Sequence, residues 1–370
     1  MSRCAGGRHP GTLEVMKPCR RAISLALSAV LLVDAAGIGL GVAHSLDRTA
    51  QTGIARQNYG HAAAAFIGAS AAWRRVGPEL LIHALSADPF RPTVVYAATL
   101  GGALRSTDSG SHWQMRNAGL DASAPELWQV TPTAVPDTLL AAANDGAVYR
   151  SSDGGARWQQ AGSRLDPGGV FAVSADPAHP AVLLAGTSVG IWRSDDSGSH
   201  WRLAASTEGS GVDAFAWQPG MTRVYAGLVA GPHQLLASDD GGTTWHPSTV
   251  GLDGQEGIMS LLPLGGSRPT LLAGTMGHRI WSRDGHGAWH VSSDGLPAGE
   301  HGTALAGRGN LIWTSTMSAG VFASVDGGRS WRPYGHGQAA GGRVVLALAA
   351  TEGRLLGGTS DGIYLLDQGG

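Results

Sequence analysis

Short apolar runs separated by turn-forming residues follow one another along most of this 370-residue chain. From Val170 onward, for example, the runs VFAVSA, AVLLAG, GIWRS and HWRLA are separated by segments rich in Gly, Pro, Asp and Ser. Runs of this length, bounded by those residues, predict β-strands joined by tight turns. The stretch therefore predicts four consecutive short strands, and the same succession returns elsewhere in the chain.

A motif of the form Ser-x-Asp-x-Gly-x-x-Trp follows the third run of each succession. Six copies occur, spaced 42 to 45 residues apart, and they begin at Ser106, Ser151, Ser194, Ser238, Ser282 and Ser324. The copy at Ser282, SRDGHGAW, has lost the glycine of the pattern. A motif that returns at a near-constant period is structural rather than catalytic, and four strands per period are typical of a β-propeller blade.

The third copy, SDDSGSHW, has the residues of a reaction centre, with Asp195 and Asp196 adjacent and His200 close behind. Its place between the third and fourth strands predicts a hairpin turn instead. An aspartate there can accept hydrogen bonds from backbone N–H groups a few residues on, and glycine permits a positive φ. We therefore predict six structural turn acids, which are Asp108, Asp153, Asp196, Asp240, Asp284 and Asp326.

The two ends of the repeat region complement each other. After the last motif the runs VVLALAA, RLLGGT and GIYLLD supply three strands without a fourth, while WRRV at Trp73 resembles an isolated fourth strand. Joining these pieces closes a ring and leaves no free sheet edge. The sequence therefore predicts an all-β fold, a single seven-bladed β-propeller of four-stranded blades closed by an N-terminal strand. A six-bladed ring, with one blade per motif, is the alternative.

One position in each third strand is apolar or aromatic, two residues before the motif serine. The residues are Leu104, Tyr149, Trp192, Leu236, Ile280 and Phe322, and Tyr364 holds the same place in the last blade. We predict that these side chains pack between neighbouring blades.

The repeated motif resembles the Asp-box, or bacterial neuraminidase (BNR), repeat. That repeat is found in sialidases, xyloglucanase-type glycoside hydrolases, sortilin-type receptors and photosystem II assembly-factor propellers, within the WD40/YVTN/BNR-like group. The resemblance covers about residues 71–370. It implies a propeller whose Asp boxes lie on the outer rim, away from the face that binds ligands, and it is much less specific for function than for fold.

Composition narrows the classes of function. Charged residues make up 15% of the chain and the formal net charge is −2, so no nucleic-acid partner is predicted. Both cysteines, Cys4 and Cys19, precede the repeats, which excludes a disulfide framework or thiolate metal site there. The 14 histidines are dispersed. We predict no metal site and no cofactor.

The N-terminal region differs from the repeats. Lys17, Arg20 and Arg21 precede a mainly apolar run over residues 22–43. This pattern predicts a signal peptide or signal anchor in residues 1–43, a linker in 44–70 and the propeller in 71–370. The propeller is then extracytoplasmic, either secreted, periplasmic or held at the cell surface by residues 22–43 as a membrane tether.

Ligands are expected on the loop face, formed by the connections from each fourth strand to the next blade and from each second strand to the third. Loops 246–259, 290–303 and 332–343 depart most from the repeat, and such loops carry function more often than the repeat itself. The candidate ligand-binding residues are Trp128 near the central channel and, in the loops, Glu256, Glu300, His301, Arg332, Tyr334 and His336.

We interpret the chain as an exported non-enzymatic propeller that binds a protein or glycan partner through the loop face. The alternative is a glycoside hydrolase with carboxylates on that face. The sialidase family has a Phe-Arg-Ile-Pro motif, but Phe90–Pro92 lies in a repeat turn where His179 stands in another copy. The xyloglucanase-type cleft needs two propellers. The sequence assigns no catalytic residue.

Overall fold

The computed structural model describes residues 72–367 except 123–125, 232, 253–255, 266–269, 277–278, 286, 301 and 336–342. These residues form seven four-stranded antiparallel sheets and contain no helix. The first strands of neighbouring sheets contact one another around the whole ring and so surround its axis. The predicted seven-bladed β-propeller is confirmed, and the six-bladed alternative is wrong.

The strands are numbered in chain order, and four successive strands form each of blades 1 to 3. Blade 1 contains β2 (Ile82–Ala87), β3 (Val95–Thr99), β4 (Gly102–Ser106) and β5 (Gln114–Met115). Blade 2 contains β6 (Leu127–Pro132), β7 (Leu139–Ala143), β8 (Val148–Ser151) and β9 (Gln159–Gln160). Blade 3 contains β10 (Val170–Ala175), β11 (Leu183–Thr187), β12 (Gly190–Ser194) and β13 (Arg202–Ser206).

Blades 4 to 6 repeat this order. Blade 4 contains β14 (Val212–Trp217), β15 (Val224–Leu228), β16 (Leu235–Ser238) and β17 (His246–Pro247). Blade 5 contains β18 (Ile258–Leu264), β19 (Thr270–Thr275), β20 (Ile280–Asp284) and β21 (His290–Val291). Blade 6 contains β22 (Gly302–Arg308), β23 (Leu311–Thr316), β24 (Val321–Ser324) and β25 (Arg332–Pro333).

Blade 7 is assembled from both ends of the repeat region. Its inner strands are β26 (Ala347–Thr351), β27 (Arg354–Thr359) and β28 (Gly362–Asp367), and its outer strand is β1 (Trp73–Arg75). Trp73 pairs with Leu366 and Arg75 pairs with Tyr364. The Val76 N–H then donates to the Ile363 carbonyl at 2.8 Å. The N-terminal strand thus closes the ring, as predicted.

Second strands lie deep in the fold, and every residue of β3, β7, β11 and β15 is buried. In the third strands, Leu104, Tyr149, Ile280 and Phe322 are buried at the predicted packing position, and Leu236 is buried as well. Trp192 is half-buried at that position and packs against the core between blades 2 and 3. Apolar clusters of this kind lie between the blades and hold the ring together.

Small residues near the ends of the second strands allow neighbouring blades to approach closely. A Cβ added at Gly186 would lie 2.5 Å from the Val212 carbonyl oxygen of the next blade. A Cβ added at Gly358 would lie 2.5 Å from a methyl carbon of Ile82 across the closure. A larger side chain at either position would push the blades apart.

The part of the chain that the structure describes holds no helix with the length and hydropathy of a membrane span. The predicted signal or tether in residues 22–43 and the linker in 44–70 lie outside the described residues.

Candidate functional site

Alternation of strand direction gives the ring two distinct faces. Connections between first and second strands and between third and fourth strands lie on one face, here called the turn face. The remaining connections form the opposite loop face. The six motif turns lie on the turn face, since each joins a third strand to a fourth.

The motif turns close through a repeated set of hydrogen bonds. In the third copy, Ser194 Oγ donates to Asp196 Oδ1 at 2.8 Å and accepts the Gly198 N–H at 2.9 Å. Asp196 Oδ1 also accepts the His200 N–H at 2.9 Å. Equivalent bonds hold the turns of Asp108, Asp153, Asp240 and Asp326. Asp284, in the worn copy, pairs through its backbone with Thr270 at the end of β20.

These bonds favour the charged form of the turn acids. The backbone N–H of His200, followed by its side chain and the Ser194 hydroxyl, lowers the pKa of Asp196 to about 2. Asp195 lies beside the network and pairs with Arg193 instead. A carboxylate kept charged by its own turn is poorly suited to donating a proton near neutral pH.

Motif tryptophans join neighbouring blades at the rim. Trp158 Nε1 donates to the Arg116 carbonyl of the preceding blade at 2.7 Å, and Trp331 Nε1 donates to the Ser292 carbonyl at 2.7 Å. Trp201 and Trp289 make equivalent bonds. At blades 1 and 4 the indole bonds to its own turn, with Trp113 donating to Gly110 and Trp245 to Gly242.

The segment that resembles the sialidase Phe-Arg-Ile-Pro motif lies in a turn between first and second strands. Arg91 contacts Asp88 of its own turn at 2.7 Å and Asp137 of blade 2 at 2.6 Å. His179 contacts Asp176 in the same way at the equivalent turn of blade 3, at 3.0 Å. Arg91 is therefore part of the repeat architecture on the turn face.

A cleft of about 500 Å³ lies on the turn face between blades 5 and 6. Its charged lining consists of Asp284, Asp326, His290 and Arg329. Within the described residues, no three acidic, histidine or cysteine side chains are grouped as they would be around a metal ion.

The loop face carries a second repeated feature, a β-bulge at the start of the first strand in blades 1 to 6. In blade 3 the register shifts between Val170 and Ala172, which leaves Phe171 unpaired in the bulge. Blades 1, 2, 4, 5 and 6 have the same shift, and Leu346 precedes β26 at the matching position of blade 7. We call these half-buried residues the channel-mouth ring: His83, Trp128, Phe171, Asp213, Met259, Thr303 and Leu346.

Three aromatic side chains of this ring form a continuous arc across blades 1 to 3. The ring centroids of His83 and Trp128 are 4.4 Å apart, and those of Trp128 and Phe171 are 5.9 Å apart in an edge-to-face contact. His83 Nε2 lies 3.2 Å from Glu126 Oε1. The predicted candidate Trp128 is thus at the centre of an aromatic surface.

Asp213 occupies the next position around the ring, in blade 4. No hydrogen bond or ion pair to its carboxylate is found within the described part of the chain. Burial raises the pKa of Asp213 to about 7, with no other cause. A carboxylate left uncompensated in a desolvated position is costly and is a common mark of a functional site.

The two predicted loop glutamates contact hydroxyl groups of their own blades. Glu256 Oε2 lies 2.6 Å from Thr275 Oγ1 at the end of β19. Glu300 accepts the Ser318 N–H at 3.0 Å and the Ser318 hydroxyl, in the turn after β23. Burial raises the pKa of Glu300, but the hydrogen bonds from Ser318 prevail and leave it below its usual value. Asp166 of blade 3 acts similarly, accepting from Ser188 Oγ at 2.5 Å.

Two other predicted residues, Arg332 and Tyr334, lie apart from the channel. Arg332 pairs with Ala323 on the outer strand of blade 6. Tyr334 is only 3% exposed and packs edge to face on Trp313, with ring centroids 5.9 Å apart. His301 and His336 lie outside the described residues. The structure therefore brings Trp128 to the channel but not Arg332 or Tyr334.

Sequence reasoning did not identify His83, Phe171 or Asp213. The sequence pattern that could reveal these residues is weak, because each is simply the second residue of an otherwise repetitive first strand. The bulge, which turns that residue away from the regular pairing, is visible only in the strand register.

Acidic residues outnumber arginines in the described connections of the loop face. The acids are Glu79, Asp121, Glu126, Asp145, Asp166, Glu208, Glu256, Asp294, Glu300 and Asp361, and the arginines are Arg116, Arg164, Arg279 and Arg343. Several acids are paired, as in the contacts of Arg164 with Asp145 and of Arg343 with Asp361. The excess nevertheless gives this face a negative potential that attracts cations.

No protein-family model matches the chain, and no curated protein matches it. Its structural neighbours are seven-bladed β-propellers. The GH74 xyloglucanase from Xanthomonas campestris is 21% identical with a TM-score of 0.65, over 80% of this chain and 53% of that one. YCF48 bound to D1 peptide is 17% identical with a TM-score of 0.61, over 81% of this chain and 97% of that one.

A third neighbour is the extracellular domain of a proposed hybrid two component system from B. thetaiotaomicron. It is 14% identical with a TM-score of 0.61, over 80% of this chain and 40% of that one. The chain spans about half the length of the GH74 enzymes it matches. At these identities the likeness is one of fold, and it includes enzymes as well as binding propellers.

Proposed function

We propose that this protein is an exported, non-enzymatic propeller of the Asp-box type that binds a protein or carbohydrate partner through its loop face. The observation that carries the proposal is the aromatic arc of His83, Trp128 and Phe171 at the channel mouth. Trp128 and Phe171 are half-buried and can contact a ligand at the channel mouth, while the His83 side chain, only 4% exposed, packs against Trp128.

The two predicted loop glutamates are held by hydroxyl groups of their own blades, which favours binding over hydrolysis by this pair. A glycosidase needs one carboxyl group that donates a proton and another that faces the substrate. Glu256 and Glu300 instead accept hydrogen bonds from Thr275 and Ser318. YCF48 bound to D1 peptide provides a precedent in which a propeller of this fold binds a protein segment.

The proposed location outside the cytoplasm rests on residues 1–43, the proposed signal peptide or signal anchor, with 44–70 as a linker and 71–370 as the propeller. Extracellular domains among the structural neighbours agree with such a location. A membrane tether formed by residues 22–43 would keep the loop face close to partners in the cell envelope.

The test compares partner capture by the full-length wild-type protein with capture by Trp128→Ala. Envelope proteins and a glycan array are offered in parallel, and retained species are identified by mass spectrometry or array position. We expect at least one ligand that the wild type retains and Trp128→Ala loses. Leu203→Ala, which removes an exposed side chain on the outer strand of blade 3, is the matched control and should retain it.

The hydrolase alternative is tested with aryl-glycosides on the same proteins. Turnover by the wild type that disappears in Glu256→Gln or Glu300→Gln would overturn the non-enzymatic proposal. Thermal unfolding of each variant shows whether a loss reflects the site or the fold.

A further inference from the structure

We propose that the channel mouth formed by His83, Trp128, Phe171 and Asp213 binds the cationic end of an arginine or lysine side chain presented by a protein partner. This inference rests on the proposed binding function and specifies the chemistry of its partner. It assigns the acid of the site to Asp213, a residue outside the variable loops.

The aromatic arc supplies one half of such a site. Trp128 contacts His83 on one side and Phe171 on the other, so three adjacent blades present rings at one level of the channel. Asp213 follows Phe171 at the same bulge position of the next blade. A cation beside Asp213 would therefore meet aromatic rings, which attract cations through their π-electron density.

Asp213 supplies the other half, because no described residue forms an ion pair or hydrogen bond with its carboxylate. The strands packed against β14 are β10, β11, β15 and β18, and none carries a charged side chain. Tyr225 of β15 is their one titratable residue, and it is buried. Glu208 in the preceding connection is exposed and has the same sign of charge. A guanidinium or ammonium group would therefore be the missing partner.

Charge also distinguishes a basic peptide from a neutral sugar. The loop face holds more acids than arginines, which attracts a basic segment. A neutral sugar would stack on Trp128 equally well but would leave Asp213 uncompensated. The observations therefore favour a basic protein segment.

The protonation of Asp213 predicts that binding of a cation depends on pH. With the pKa of Asp213 near 7, a bound cation would displace the proton from this carboxyl group. Affinity should therefore rise as pH increases from 6 to 8. His83, which lies beside Glu126 at the same mouth, is a second titratable group there. Asp213→Asn separates the two contributions.

The experiment measures binding of two capped heptapeptides to the full-length protein by titration calorimetry. One has a central arginine among alanines and the other has citrulline, which is isosteric and neutral. We expect the wild type to bind the arginine peptide at least tenfold more tightly, and Asp213→Asn to abolish that preference. Glu352→Gln removes an equal charge from an exposed turn on the opposite face and should preserve it.

Three results of the peptide titrations would overturn the inference. These are equal binding of the two peptides by the wild type, no binding of the arginine peptide, and an arginine preference that survives in Asp213→Asn. Tighter binding of an uncharged oligosaccharide than of the arginine peptide would assign the mouth to a glycan instead. Partner capture that depends on Trp128 but is unchanged in Asp213→Asn would reject the cation site and leave the proposed function standing.

Discussion

The turn face and the channel mouth each repeat one sequence position around the ring. The residue at the repeated position is nearly constant on the turn face and varies at the channel mouth. On the turn face, five of the six motif acids make the same bonds to a serine hydroxyl and to a backbone N–H. At the channel mouth, seven equivalent positions hold seven different residues, from Trp128 to Asp213.

This difference separates architecture from recognition. A turn that must close in every blade needs the same donors and acceptors each time, so its residues recur. A side chain that points into a shared channel has no such internal requirement, and each blade can supply a different chemistry. Repetition therefore marks the parts that build the ring, and departure from repetition marks the parts that can bind.

The largest loss of unfolding free energy is expected at the rim. Motif tryptophans that bond to the preceding blade can be compared there with those that bond to their own turn. Trp158→Ala removes a side chain that is 1% exposed and the bond to Arg116 of the preceding blade, and should cost roughly 3–5 kcal/mol of unfolding free energy. Trp113→Ala, which removes a half-buried ring bonded to its own turn, should cost less than half as much. Denaturant unfolding measures both, and equal losses would contradict a role in joining blades.

Asp213→Asn should raise stability. Because the folded-state pKa of Asp213 is about 7, above the usual 3.8, folding of the wild type weakens as pH rises from about 4 to 7. At pH 8 the variant should gain roughly 1–3 kcal/mol, and at pH 4 the two proteins should be alike. Denaturant unfolding at both pH values provides the measurement, and a loss of stability at pH 8 would show that the carboxylate has a structural partner.

Asp326→Ala should lower the free energy of unfolding near neutral pH, whereas Asp213→Asn should raise it. Burial opposes the charge of Asp326, but bonds from Ser330 and Ser324 prevail and lower its pKa below 3.8. Its contribution is therefore present above about pH 4 and is lost as pH falls through the lower folded-state value. At pH 7 we expect a loss of about 1–2 kcal/mol. Asp195→Ala, outside the turn network, should change the free energy of unfolding by less than about 0.5 kcal/mol.

The smallest loss of unfolding free energy is expected from Met259→Ala, in the channel-mouth ring. Met259 lies in the bulge of β18, so its loss should cost no more than about 1 kcal/mol. Ile258→Ala, one residue earlier, removes a side chain that is 1% exposed in the core and should cost roughly 2–4 kcal/mol. Similar losses in both variants would mean that the bulge side chain belongs to the core.

Prediction from the sequence succeeded where a residue's role is repeated. Trp73, Leu104 and Asp196 were placed by alignment of the copies, because each position obeys a local rule of strand, packing or turn. Single-residue site predictions were harder. Tyr334 was singled out as a loop residue, but it packs against Trp313 in the core, since its N–H still bonds to the Val321 carbonyl of β24 at 2.8 Å.

The sequence by itself determined the blade count, the strand order within each blade and the closure by Trp73–Arg75, because strand periodicity and turn chemistry are local properties that recur. Only the tertiary structure decided which side chains meet at the axis. The approach of His83, Trp128 and Phe171 depends on seven sheets closing into a ring, and on bulges that turn one residue of the first strand out of register in blades 1 to 3. Residues about 44 positions apart become neighbours there, and no local pattern in the chain encodes that contact.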